Sequence, residues 1–270
     1  MSRYIDQWSH DEFENHIEKT LGLNVTVHNV EIAGDGNMNF TYRIYTEDNA
    51  TLIIKQSPPY CARFPDIPAP EERIIAEFNF YKLAAKDEFL LGHSPALLGL
   101  DEEKKIAYMS DLGATTDFEY LYTQNDPLTS QTCKKLITYL RALHGLKVDD
   151  DVEFENIGMR NLNHDYIFKL PFILGDTAIN LDDVTPGLQD IANIHKGDPE
   201  LKAAGLELGQ IYYQKSRTLI HGDYYPMSWI NTDHGLFIID PEFGFLGLPE
   251  IDLGVFLAHM LLSNNYSIAL

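Results

Sequence analysis

Three carboxylates in the C-terminal third of the chain have a spacing that suits metal and phosphate chemistry. Asp223 closes a His-Gly-Asp triplet behind a short apolar run, and Asp240 and Glu242 flank Pro241 after a second apolar run. A divalent cation beside a nucleotide needs hard oxygen ligands on one side of the phosphates. In extended backbone, Asp240 and Glu242 would point the same way. We therefore expect two neighbouring strands to present these carboxylates to one cleft, where Asp240 and Glu242 share a magnesium ion.

Each segment taken alone has a simpler interpretation. An isolated Asp-Pro-Glu is most often a surface turn, and an isolated His-Gly-Asp is most often the polar end of a strand. The simpler interpretation weakens when both segments follow apolar strands at this spacing. The combination of the two segments favours a metal- and phosphate-binding site.

The two segments also resemble a known family. His221 to Asp223, together with residues 238–243, look like the catalytic and metal-binding segments of the aminoglycoside phosphotransferase superfamily, which has a protein-kinase-like fold. Within it, the Asp-x-Glu motif and the serine at position 228 look most like methylthioribose kinases. The usual loop has an asparagine metal ligand where this chain has Ser228, so the resemblance implies a weaker or replaced ligand there, with Glu242 compensating.

The resemblance extends to the first half of the chain, where it implies a nucleotide site. A glycine-rich turn between two predicted strands is similar to a phosphate-covering loop, although such a turn alone is usually a plain hairpin. Lys55 stands where kinases of this fold place the lysine that contacts the α- and β-phosphates, and Glu77 would pair with it, with Glu72 as the alternative. The remaining residues that the resemblance assigns to nucleotide binding are Gly34, Asp35, Gly36, Asn37 and Asn39 in the turn, and Met109, Asp111 and Leu112 beside adenine.

The resemblance implies an ATP- and Mg²⁺-dependent kinase for a small molecule with a hydroxyl group. Asp223 would orient or deprotonate the hydroxyl, Asp240 and Glu242 would hold the ion with Ser228 as a weak third ligand, and Asp252 would brace the catalytic loop. The acceptors to consider are a methylthioribose-like sugar, an aminoglycoside or an amino alcohol. A nucleotide-binding pseudokinase is the alternative because of Ser228, and a metal-dependent hydrolase ranks third.

Residue patterns predict an α+β, bilobal fold that can position these groups. Ser9 and Glu12 form a capping box that opens a helix ending at Gly22. Alternating apolar residues predict three antiparallel strands within 24–56, then a helix from Pro70 or Glu71, then strands at 96–100 and 105–112. We expect residues 1–110 to form a nucleotide-binding lobe, a five-stranded antiparallel sheet with one packed helix.

Residues 111–270 should form a mainly helical lobe for catalysis and acceptor binding. The clearest helices are predicted at 130–146 and 251–262, and a strand at 218–220 precedes a hairpin that turns at 233–235. Within the segment 148–216, residues 149–151 and the Asn-rich stretch 156–163 look like loops, and residues 185–215 give only patchy helical signals. Relatives continue with further helices beyond Asp252, so the apolar helix at 255–262 would need cover, and a homodimer is one possibility.

Composition restricts the partners. Twenty Lys and Arg against 41 Asp and Glu give a net charge of −21, which repels nucleic acid and anionic membranes. An acidic cleft would attract a cationic acceptor, but surplus carboxylates are more often a solubilising surface. The N-terminus lacks a basic start followed by an apolar run, and no stretch is long enough for a membrane span, so we expect a cytoplasmic protein.

Overall fold

The computed structural model describes residues 2–34, 36–123, 126–174 and 180–263. Asp35 of the predicted phosphate loop lies outside the described residues. In chain order, the first half forms α1 (His10–Leu21), β1 (Val27–Ile32), β2 (Phe40–Thr46), β3 (Thr51–Gln56), β4 (Tyr60–Cys61), β5 (Phe64–Pro68), α2 (Arg73–Ala84), α3 (Glu88–Leu91), β6 (Leu97–Asp101) and β7 (Ile106–Ser110).

Helix α1 begins and ends where its sequence predicts. Ser9 accepts a hydrogen bond from the backbone N–H of Glu12, and the Glu12 carboxylate accepts one from the backbone N–H of Ser9, which completes the capping box. Gly22 ends the helix at a φ of 70°, a conformation that glycine adopts without steric cost. Phe13 and Ile17 are buried against the sheet.

The five-stranded antiparallel sheet is confirmed, with the strand order β1-β2-β3-β7-β6. Ile44, Ile54 and Tyr108 pack on the face that α1 covers. The other face packs through Ala107 and Met109 into the larger core, to which α2 also contributes. Strand β3 is central, so its side chains on this second face point towards the interior of the molecule.

The proline-rich segment between β3 and α2 is more ordered than the sequence predicts. We predicted no strand in it, and a helix that begins near Pro70 or Glu71. Instead, β4 and β5 pair in a short hairpin, and α2 begins at Arg73 after a turn at Glu71 and Glu72. The later start makes Arg73 the first residue of the helix, and its side chain is completely buried.

The second half is mainly helical, as predicted. Its elements are β8 (Thr116–Asp117), α4 (Tyr120–Thr123), α5 (Ser130–Gly145), α6 (Ile157–His164), α7 (Leu188–Lys196), α8 (Pro199–Tyr212), β9 (Thr218–Ile220), β10 (Trp229–Thr232), β11 (Gly235–Ile238), β12 (Phe245–Gly247) and α9 (Glu250–Leu262). A π-helical turn, Asp165–Lys169, continues α6. Leu136 and Leu140 of α5 share one core with Trp229 and Phe256. The boundary between the two lobes at residues 110 and 111 stays a prediction.

One expectation about strand pairing is wrong. We expected the strands that precede Asp223 and Asp240 to be neighbours in a sheet. In the structure β9 pairs with β12, whereas β11 pairs with β10 in a separate small sheet. The two carboxylate-bearing segments therefore meet through loop packing and not through strand pairing.

Two features of the surface concern membranes and partners. Among the described residues, none of the helices combines the length and the apolar character that crossing a bilayer requires. Leu253, Leu257 and Leu261 of α9 are exposed at four-residue intervals. The homodimer that we expected stays a prediction.

Candidate active site

Lys55 lies on the central strand β3 and joins both halves of the site. Its Nζ lies 2.7 Å from Glu77 Oε2 on α2 and 2.5 Å from Asp240 Oδ1 in the second half of the chain. Burial acts to lower the pKa of Lys55, but the charges of Asp240, Glu77 and Glu242 outweigh it and raise that pKa. Lys55 is therefore a buried ammonium. Glu72, the alternative partner, instead lies 3.9 Å from Lys105.

Glu77 is almost fully buried and depends on this ion pair. Burial raises the pKa of Glu77 to about 7, although the neighbouring Lys55 charge acts to lower it. A buried carboxylate without its cation would favour the protonated form. The pair therefore fixes the Lys55 ammonium at the base of the cleft.

The backbone at Asp240 corrects our expectation of an extended Asp-x-Glu segment. Asp240 has a φ of 60° and a ψ of 47°, the left-handed conformation, and Pro241–Phe243 form a 3-10 turn. The two carboxylates have different direct partners: Asp240 contacts Lys55, while Glu242 Oε2 accepts a hydrogen bond from Asn39 Nδ2 at 2.8 Å. A left-handed non-glycine residue is strained, and such strain is often found at functional sites.

The His-Gly-Asp loop packs directly on this turn. Gly222 has a φ of 81°, and a Cβ there would lie 2.2 Å from the backbone oxygen of Phe243, so only glycine fits. His221 Nδ1 accepts from Asp223 N at 3.3 Å, so its Nε2 carries the proton and donates to Ile239 O at 3.0 Å. Burial lowers the pKa of His221, which is consistent with a neutral orienting group.

Asp223 faces the same carboxylates. Burial, followed by the charges of Glu242, Asp240 and Asp252, raises the pKa of Asp223 to about 7. Such a pKa is close to the value at which a carboxylate is an effective general base near neutral pH.

The Asp252 carboxylate binds the backbone of the His-Gly-Asp loop, which is the predicted catalytic loop. Its Oδ2 accepts from His221 N and its Oδ1 accepts from Gly222 N, both at 2.8 Å. Oδ2 also lies 2.8 Å from His144 Nε2 on α5. The carboxylate is fully buried, so these contacts substitute for water and fix the position of the loop relative to α9 and α5.

Comparison with known proteins decides the family. The family model described as "Phosphotransferase enzyme family" matches residues 29–269, which include both halves of this site. The chain belongs to this phosphotransferase family.

Individual relatives of the chain in this family are methylthioribose kinases. That of Bacillus velezensis is 27% identical over 245 residues, which cover 85% of this chain and 60% of the relative. Methylthioribose kinase 1 of Oryza sativa is 26% identical over 261 residues, covering 90% of this chain and 58% of the relative. The chain thus spans about 60% of the length of these curated relatives.

Solved structures of low sequence identity show the same fold. Choline kinase LicA from Streptococcus pneumoniae superposes with a TM-score of 0.53 at 18% identity, covering 95% of this chain and 76% of that chain. A spectinomycin phosphotransferase in complex with ADP and spectinomycin superposes with a TM-score of 0.55 at 15% identity, covering 97% and 80%. These likenesses confirm the predicted protein-kinase-like fold of this family member.

The charges of the site fit a divalent cation. Among the described residues, the Lys55 ammonium interacts with the charges of Asp240, Glu77 and Glu242, and the Arg73 guanidinium interacts with those of Glu242 and Glu77. The Asp223 carboxylate adds a further negative charge beside Glu242 and Asp240. Within the described ranges, no three His, Cys, Asp or Glu side chains converge closely enough to enclose an ion by themselves. Magnesium commonly takes one or two carboxylates and completes its shell with phosphate oxygens and water. The donors therefore fit an ion that is shared with a nucleotide.

Ser228, which the resemblance makes a weak metal ligand, has its hydroxyl engaged within the His-Gly-Asp loop region. Its side chain is buried, and its hydroxyl donates to the backbone oxygen of Asp223 at 3.0 Å. This contact ties the two ends of the catalytic loop together. A direct role of Ser228 as a metal ligand stays a prediction.

The described part of the glycine-rich turn is hydrogen-bonded to the β4–β5 hairpin. The backbone oxygens of Asn37 and Met38 accept from the N–H groups of Arg63 and Ala62, at 3.0 and 3.3 Å. A Cβ added to Gly34 or Gly36 would meet nothing within 4 Å, so their outer side is open. Phosphate binding by this turn stays a prediction.

The segment after β7 is fixed by an arginine that we did not predict. The Asp111 carboxylate accepts two hydrogen bonds from Arg43, at 2.7 and 3.0 Å, and a third from Gly113 N. Met109 is buried and Leu112 is half-buried. The Asp111 side chain is thus already engaged, and adenine binding by backbone groups of this segment stays a prediction.

Sequence reasoning also missed residues from the segment 148–216. Asn156 Nδ2 donates to the backbone oxygens of Glu242 and Gly244, at 2.8 and 2.9 Å, and Asn163 Nδ2 lies 3.4 Å from Gly222 O. From α6 and the residue before it, these asparagines contact the Asp240 turn and the His-Gly-Asp loop. We interpreted the Asn-rich stretch as a loop, because asparagine favours turns in sequence statistics.

Proposed function

We propose that this family member is an ATP- and Mg²⁺-dependent phosphotransferase that moves the γ-phosphoryl group onto a hydroxyl of a small metabolite. The observation that carries the proposal is the contact of Lys55 with both Glu77 and Asp240, which joins the predicted nucleotide lysine to the predicted metal motif. The names of the relatives support a methylthioribose-like sugar as the first acceptor to test. Aminoglycosides and amino alcohols come next.

In this mechanism the chain positions the reactants and accepts a proton. Lys55 would contact the α- and β-phosphates, and Asp240 and Glu242 would hold a magnesium ion, which would supply positive charge to the phosphates. Asp223 accepts a hydrogen bond from the acceptor hydroxyl and then its proton. The hydroxyl oxygen bonds to the γ-phosphorus as the bond to the β-phosphate oxygen breaks, and ADP leaves.

A second candidate is a nucleotide-binding pseudokinase. The engagement of the Ser228 hydroxyl with Asp223 O favours it, because the usual asparagine ligand then has no direct replacement at that position. This candidate predicts binding of nucleotide and magnesium without phosphorylation of an acceptor.

One experiment separates the two candidates. Wild type and Asp223→Ala are incubated with ATP, Mg²⁺ and a panel of sugars, aminoglycosides and amino alcohols, and ADP release is followed. We expect at least one acceptor to stimulate wild type, and Asp223→Ala to lose about 10²- to 10⁴-fold of that stimulated rate. If no acceptor stimulates ADP release while ATP still binds, the pseudokinase candidate replaces the kinase.

A further inference from the structure

Arg73 is a completely buried guanidinium at the junction of the glycine-rich turn, the β4–β5 hairpin and α2. Its donors are all engaged, by Asn39 Oδ1 at 2.9 Å, by Pro58 O and Pro70 O at 2.7 and 2.6 Å, and by Met38 O and Tyr60 O at 2.6 and 3.2 Å. Arginine has five N–H donors in a rigid planar arrangement, so this set of contacts leaves it little freedom.

Asn39 connects Arg73 to the metal motif, Asp240 and Glu242, by hydrogen bonds on both sides of its amide. Its Oδ1 must face Arg73, which can only donate, and its Nδ2 therefore faces Glu242 Oε2 at 2.8 Å. Arg73 Nε also lies 3.5 Å from the same carboxylate oxygen. Both the Asn39 and the Glu242 side chains are buried, so water does not compete for these bonds.

We propose that Asn39, oriented by Arg73, is a positioning residue that fixes Glu242 relative to the glycine-rich turn. The glycine-rich turn and the metal motif are then held in a fixed position relative to each other. The ligands of a nucleotide phosphate and of its ion are therefore in place before either binds. This inference depends on the proposed function, because it takes Glu242 as a magnesium ligand. It adds Asn39 and Arg73 as residues that position the metal motif. The sequence resemblance gave neither residue that role.

The geometry explains why Glu242 needs such a partner. Asp240 contacts the Lys55 ammonium directly, whereas the direct contacts of Glu242 are with Asn39 Nδ2 at 2.8 Å and Arg73 Nε at 3.5 Å. Without Asn39, the carboxylate would lose a buried hydrogen-bond donor and would move towards another partner. The cation would then retain only one correctly placed carboxylate.

The test measures the contribution of magnesium to ADP binding. Calorimetry gives the affinity for ADP with Mg²⁺ and with EDTA, for wild type, Asn39→Ala, Glu242→Gln and the double variant. We expect Mg²⁺ to tighten ADP binding to wild type on the order of tenfold, and each single variant to lose most of that gain. Because Asn39 acts through Glu242, the double variant should lose no more than Glu242→Gln.

Arg63→Ala is the matched control. Arg63 contacts the same turn at Asn37 from the exposed side and has no contact with Glu242. We expect this variant to retain the wild-type gain from Mg²⁺. Asn39→Ser, which keeps a small polar group that is too short to reach Glu242, replaces Asn39→Ala if the latter unfolds, as judged from its melting temperature.

The outcomes separate the inference from the function that it rests on. If Mg²⁺ does not tighten ADP binding to wild type, the proposed metal site is wrong and the inference is lost with it. If wild type shows the gain and the Asn39 variants keep it, or if the losses in the double variant add, only the assignment of Asn39 is overturned.

Discussion

The Asp223 carboxylate has opposing effects on stability and on chemistry. Burial and the charges of Glu242, Asp240 and Asp252 raise the pKa of Asp223 to about 7, from an ordinary value of 3.8. Between these two values the folded protein binds the proton more tightly than the unfolded chain does. The resulting stabilisation is complete below about pH 4 and is lost as the pH rises through about 7.

We therefore expect Asp223→Asn to stabilise the protein at pH 8 while abolishing phosphoryl transfer. Asparagine has the same shape without the charge that the site penalises, and the gain in the free energy of unfolding should be about 1 to 2 kcal/mol. Urea unfolding at pH 8 and pH 5 measures it. The difference between variant and wild type should shrink at pH 5, and an equal difference at both pH values would contradict this account.

Sequence reasoning placed Lys55, Glu77 and Asp240 in one site, and the structure brings these three side chains together. Those positions lie in motifs of the family that the sequence resembles, and the resemblance assigned Lys55 and Glu77 to the site. Arg73 does not lie in such a motif, because its partners Met38, Tyr60 and Glu242 come from three separate segments. The available signal was weak: Arg73 and Glu77 stand four residues apart in a helix whose first six residues are otherwise apolar.

Loops position the catalytic groups in this fold, and Gly222 allows two of them to touch. We expect Gly222→Ala to destabilise the protein by about 3 kcal/mol or more, because the new methyl group adds a clash with Phe243 O to the strain of a φ of 81°. Gly113→Ala is the control, since Gly113 has a φ of 78° and open space around it. It should cost only the strain, about 1 to 2 kcal/mol.

Chemical denaturation of the two glycine variants makes the comparison. Gly222→Ala should also lose activity in excess of its lost stability, because the shift of the loop displaces Asp223. Equal destabilisation by both substitutions would show that close packing of the loops is not what requires glycine at position 222.

Helix α8 shows why part of the helical half could not be predicted. Its buried positions include Gly205 and Gly209, whereas Leu201, Leu206 and Leu208 are exposed. A Cβ at Gly205 would lie 2.3 Å from the Phe172 ring, so the glycines let neighbouring elements approach closely. Hydrophobic periodicity assumes that large apolar residues mark the buried face, and here the pattern is reversed.

The whole molecule carries a net charge of −21, and this charge should make its stability depend on salt. Self-repulsion of like charges destabilises a compact state, and salt screens it. We expect the melting temperature to rise by about 2 to 4 °C between 10 and 500 mM NaCl, which corresponds to about 1 kcal/mol in a chain of this size. Potassium chloride should act equally, and a fall in both salts would mean that local ion pairs outweigh the overall repulsion.

The overall architecture was more predictable than the contacts between its parts. Capping, alternation and turn residues encode α1 and the five-stranded sheet locally, and both are confirmed. The approach of the His-Gly-Asp loop to the Asp240 turn depends instead on left-handed backbone at Asp240 and on strand pairings between distant segments. Such features follow from packing of the complete chain and leave little trace in sequence periodicity.

The triple engagement of the Asp252 carboxylate has a consequence for biosynthesis. His221, Gly222 and His144 all depend on an acceptor that the ribosome adds later than any of them. During translation, the strand pairings of the sheet and its packing against α1 need no residue after Ser110, so this layer should resist protease first. The catalytic loop should stay open to cleavage until the α9 segment has left the exit tunnel, so stalled nascent chains that end before Asp252 should be cut near Gly222.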